Sequence, residues 1–177
     1  MSWLRGYLGN AATFLPAIAF MLYVRLGPGA LDARWAAAYE LGGALAIAHA
    51  IWLWRTRQRF AIALGIDLYL AIGGALAVAS SSANTVWGAE LGAAAALACV
   101  LAVSLVGVLV SPAGFNDVAD LEPAPARRLA RAMLVATAAA LALAAAFRHR
   151  MIAGGVVPIV GLVIASRVLR ARARSPR

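Results

Sequence analysis

Four ionisable side chains, Glu40, His49, Asp67 and Glu90, interrupt long apolar runs. A charge-bearing group at membrane depth is costly unless partnered, so each marks a candidate site. His49 and Asp67 lie eight and ten residues to either side of a turn centred near Arg57. With a helical rise of about 1.5 Å per residue, that places them at similar depth on two antiparallel neighbours. Gly42 and Ala46 share the His49 stripe, and Ala71 and Gly74 share the Asp67 stripe, at the three, four and seven spacing of one helix face. Small residues on facing stripes let membrane helices approach closely, so a His49–Asp67 hydrogen bond is expected. It reads either as a clasp between helices or as a proton-handling pair, because imidazole titrates near neutrality.

Glu40 lies nine residues before His49, half a turn out of phase, and faces elsewhere. Glu90 falls between Gly88 and Gly92, a GxxxG spacing that marks close helix contact in an apolar segment. Both acids are expected in the outer third of the membrane, reaching the interface or pairing with Arg34 or Arg25. The alternative for them is a cation or substrate site.

Other chemistry lacks its residues. The two histidines, His49 and His149, belong to different depths and cannot share a haem iron, and a zinc or copper site lacks a cluster of ligands. With no lysine in the chain, a phosphate-binding loop ending in Lys and a retinal Schiff base are both excluded. Ser80, Ser81, Ser82 and Asn84 have no nearby base and read as a helix end. No catalytic residue, cofactor or metal is expected.

These groups need a membrane bundle to hold them. Of the 177 residues 64% are hydrophobic and 13% charged, far from the half apolar and quarter charged of soluble domains. Six runs approach the roughly 20 apolar residues of one crossing: 7–26, 34–54, 60–80, 87–110, 129–147 and 151–169. The last two are the shortest, and five crossings with a re-entrant or surface-lying last segment is the alternative. Pro16 is expected to kink the first helix, which is read as retained and not as a cleavable signal. Residues 1–110 read as a four-helix unit, 111–127 as a proline-rich acidic linker, 128–170 as a two-helix unit and 171–177 as a basic disordered tail. Alanines crowd the fifth run and suit it to packing between other helices or against a partner. The lone Cys99 permits no intramolecular disulfide.

Every basic residue is Arg, giving a net charge of +9. Six crossings put 12 arginines on one side, including Arg5, Arg55, Arg57, Arg59, Arg127, Arg128, Arg131, Arg170, Arg172 and Arg174, and four on the other, Arg25, Arg34, Arg148 and Arg150. Arg-rich short loops stay in the cytoplasm, so both termini are expected there. Arg55, Arg57, Arg59, Arg170, Arg172 and Arg174 would meet anionic lipid headgroups, and topology accounts for this charge without nucleic acid. Two aromatic belts fit the same frame: Trp3, Tyr7, Trp52, Trp54 and Phe60 inside, Tyr23, Trp35, Tyr39 and Trp87 outside.

A series of motifs in order resembles the bacterial intracellular septation protein A family. Phe14-Leu15-Pro16 leads an apolar run to Tyr23, and the second helix ends in Trp52-Leu53-Trp54-Arg55-Thr56-Arg57. Gly73-Gly74 follows in the third helix, Trp87 opens the fourth, and Pro112 closes it before a polar linker and a final helix pair. The family usually has lysines in the inner turn and beside that Trp, whereas this chain has only arginines and carries Glu90 after Trp87. The resemblance implies a polytopic inner-membrane protein that supports septation and the cell envelope by contacting division and elongation machinery. It implies no catalytic residues. Two other readings stand beside it: a small proton, ion or solute transporter using Glu40, Asp67 and Glu90, often as a homo-oligomer, and an accessory subunit of a respiratory or photosynthetic complex.

Overall fold

The computed structural model describes residues 14–58, 60–111, 113–116 and 121–174, except for the side chains of Ser81 and Met151. Trp3, Arg5, Tyr7, Arg59, Pro112, Asp117, Asp120 and Arg177 lie outside the described residues.

Among the described residues six helices follow one another: α1 (Leu15–Leu26), α2 (Leu31–Arg55), α3 (Ala61–Ala79), α4 (Ser82–Val110), α5 (Pro123–Ala146) and α6 (Ile152–Arg174). The last five are long and apolar enough to cross a membrane, and the described residues contain no strand beyond one isolated bridge between Phe60 and Asn116. The chain is an all-α, multi-pass membrane helix bundle.

The short helix is α1, with 12 described residues, and not the last two, which run for 24 and 23 residues. Charges hid the length of α5. Its buried positions Ala126, Leu129, Ala130, Met133, Thr137, Ala140 and Ala144 recur at helical spacing, while Arg127, Arg128 and Arg131 fall on the outward face of the same turns. Pro123, expected in the linker with Pro125, opens the helix instead, because a first-turn proline gives up only an N–H that has no partner there. Pro16 likewise sits in the first turn of α1 and does not kink it. At the other end, α6 stays helical through Arg174, so Arg172, Ala173 and Arg174, expected in a disordered tail, are ordered, while residues 175–177 lie outside the described residues. Leu169 and Ala173 extend its packed stripe.

Each helix packs on the next in the chain, and α3 is the wall shared by two cores. On one side Phe20, Val24, Ala38, Tyr39, Ala46 and Leu70 join α1, α2 and α3. On the other, Ile62 of α3 packs with Leu97, Val100, Leu129, Met133 and Leu162, so the final helix pair shares its core with α3 and α4. The Ala-rich α5 lies between α4 and α6. By contrast, α2 and α4 both pack on α3 but hardly on each other, which leaves a furrow between them.

Two helices contain wide π turns, Val86–Leu91 in α4 and Met151–Val156 leading into α6. Gly92 ends the first with a φ of 40°, a left-handed conformation that a side chain would strain.

Candidate functional site

The seam between α2 and α3 carries the polar centre. His49 Nδ1 donates to Asp67 Oδ2 at 2.8 Å, with the two residues 8% and 2% exposed. The imidazole stacks on Trp52 at 5.7 Å between centroids, and its Nε2 is buried without a hydrogen-bond partner. A ring packed in this way is fixed in position by the carboxylate on one side and the indole on the other.

The small residues beside the pair divide their work differently from the stripe expectation. The close backbone approach is between Gly43 and Gly74, where a Cβ on Gly43 would stand 3.1 Å from the Gly74 Cα and 2.9 Å from the Leu70 carbonyl oxygen. Gly42 faces α1 instead, where a Cβ would meet Phe20 at 3.3 Å. Ala46 is fully buried, and Ala71 lines the furrow between α2 and α4. Adjacent residues point about 100° apart on a helix, so of two neighbouring glycines one serves each neighbour.

Nearer the opposite end, a second polar seam forms that the sequence reading did not draw. The Tyr39 and Tyr69 hydroxyls hydrogen-bond to each other, and Trp87 Nε1 donates to the Tyr69 carbonyl at 3.2 Å while its ring stacks on Tyr69. Tyr39, expected in the outer aromatic belt, is only 1% exposed. Its ring occupies the space that a Cβ on Gly73 would need, and a Cβ on Gly88 would come within 2.9 Å of its hydroxyl. The signal was the Gly73-Gly74 pair, which empties a socket one turn above Tyr69. Gly88 therefore serves a close contact, whereas Gly92 meets nothing within 4 Å and serves the turn.

Glu40 and Glu90 do not join either seam. Both are exposed, and the expected pairing with Arg34 or Arg25 is not made. The Arg34 guanidinium donates to the Val24 and Arg25 carbonyls at the end of α1 instead, at 3.4 and 3.5 Å, where a cation meets the negative end of a helix dipole. Glu90 lines an open cavity of about 390 Å³ with Arg148, His149 and Gly154. Among the described residues no three His, Cys, Asp or Glu side chains cluster closely enough to hold a metal ion.

The arginine-bearing segments gather at one end. The turn after α2 meets the α4–α5 connection where Ala61 N donates to the Phe115 carbonyl at 2.6 Å, and the Arg170 guanidinium of α6 lies 4.3 Å over the Phe60 ring. Arg55, Arg57 and Arg172 are exposed near this end. The furrow between α2 and α4 opens here. It is a groove of about 620 Å³ whose floor is α3, with Arg55, Trp54 and Phe115 at its mouth and Asp67, Ala71 and Ala102 deeper in.

Comparison with protein-family models, with curated proteins and with solved structures returned no match. The class that fold and site define is a multi-pass helical membrane protein with a buried His–Asp seam.

Proposed function

We propose that the protein is a non-enzymatic component of a bacterial inner membrane that supports the cell envelope and septation through contacts with other membrane proteins, with both termini in the cytoplasm. The observation that carries this reading is the pairing at the polar centre: His49 Nδ1 and Asp67 Oδ2 bridge a helix seam, while Glu40 and Glu90 are exposed elsewhere. Three acids scattered in this way do not form a chain of exchange sites along a path, which is what a proton or ion transporter would need. A clasp that holds α2 against α3 suits a scaffold. The motif resemblance to the septation protein A family points the same way, and the gathering of Arg55, Arg57 and Arg170 at one end supports the cytoplasmic placement of that end.

Gentle extraction followed by native mass spectrometry tests the proposal. Stoichiometric division or cell-wall elongation subunits are the expected companions. A bare homo-oligomer whose proton or ion flux in liposomes vanishes in Asp67→Asn overturns it in favour of transport, and respiratory or photosynthetic subunits overturn it in favour of an accessory role.

A further inference from the structure

The groove between α2 and α4 has the dimensions and chemistry of a lipid site. Its volume of about 620 Å³ lies within the roughly 300–1,000 Å³ range of small-ligand pockets. The rims carry Ile47, Ile51, Leu68 and Val106, which are 39% to 55% exposed, so the groove opens sideways onto hydrocarbon. Its interior is apolar nearly throughout. The one acid in the wall, Asp67, is 2% exposed because Oδ2 is turned onto His49, and the clasp thereby keeps charge out of the groove. The mouth is different. Arg55 is exposed there, next to the Trp54–Phe115 edge-to-face pair, with Arg57 two residues on.

A cation at the interface end of an apolar slot complements an anion that carries a hydrocarbon chain. We propose that the groove holds one acyl chain of an anionic phospholipid, with the lipid phosphate on the Arg55 guanidinium. Guanidinium binds phosphate through paired N–H donors, and the small side chains Ala46, Ala50, Ala71 and Ala102 leave the width the chain occupies. The site rests on the bundle lying in a bilayer and is independent of any role in septation.

The test is native mass spectrometry of the full chain in a non-ionic detergent, titrated with phosphatidylglycerol or with phosphatidylcholine of the same acyl chains. The wild-type protein is expected to retain one phosphatidylglycerol per protomer at least 5-fold better than phosphatidylcholine. Arg55→Gln should remove that preference while leaving weak binding of both lipids. Ala50→Phe, which fills the groove from its rim, should cut retention of both at least 5-fold. Arg148→Gln, at the opposite end, should behave as wild type, and unchanged melting of each variant in detergent confirms that it is folded. Equal retention by wild type and Ala50→Phe would show a lipid held elsewhere and overturn the proposal. So would the absence of any headgroup preference, or a dimer that Ala50→Phe splits into monomers, since the groove would then belong to a second copy.

Discussion

His49 and Asp67 each have the other as hydrogen-bond partner, so removing one strands the other in apolar packing. Breaking a buried pair from one side costs about 3 kcal/mol, whereas replacing both partners with apolar groups is often close to neutral. His49→Leu and Asp67→Leu are each expected to lower stability in detergent by about that much, and the double variant by less than either alone. Tryptophan fluorescence during denaturant unfolding reads all three. Additive losses would mean that the two residues act separately. This pair was legible in the sequence because depth and helical phase are both periodic quantities that counting recovers. The Tyr39–Tyr69 hydrogen bond was not, because the rule that sends tyrosine to the interface knows nothing of the socket that Gly73 opens. Nor could stripe counting tell that Gly43, and not Gly42, meets Gly74.

The seam between α2 and α3 depends on backbone contact. A Cβ on Gly74 would stand 2.8 Å from the Tyr39 carbonyl oxygen, which rigid backbone does not yield to. Overpacking of this kind costs about 1–3 kcal/mol, and Gly74→Leu is expected at or above the top of that range. Gly161 of α6 meets nothing within 4 Å, so Gly161→Ala should leave the melting temperature in detergent unchanged or slightly raised. Equal losses at both positions would show that glycine content, and not close approach, matters to the bundle. Six elements were legible from apolar run length alone. Their ends were not, because a charge beside an apolar run can mark only the outward face of a continuing helix and not its end. Arg127, Arg128 and Arg131 on α5 are the instance that moved its start back to Pro123.

For the whole molecule, the ends fall into two sets. The α2–α3 turn, the α4–α5 connection and the end of α6 meet through Ala61, Phe115, Phe60 and Arg170, so they must lie on the same side of any membrane. Single cysteines at Arg57 and Arg172 are expected to be blocked by a thiol reagent only after the inner face is made accessible, and one at Arg148 before. Opposite labelling of Arg57 and Arg172 would contradict the bundle itself, while the inverse pattern for all three would reverse its orientation. Buried Cys99 needs no replacement for this labelling. Counting six crossings grouped these segments correctly, because successive antiparallel helices return the chain to alternate ends. The groove between α2 and α4 was beyond such counting, since it arises from two helices failing to touch.

The helical continuation of α6 through Arg174 has a bearing on entropy. A floppy basic tail loses about 1–2 kcal/mol of backbone freedom for each residue it orders on docking. Here folding has already spent that freedom, with Leu169 and Ala173 anchored against the core. Arg167, Arg170 and Arg174 follow one another at spacings of three and four on one side of a rigid rod, while Arg172 projects from another. The charges of this segment are thereby held at fixed positions on an ordered rod, where a floppy tail would have let them move independently.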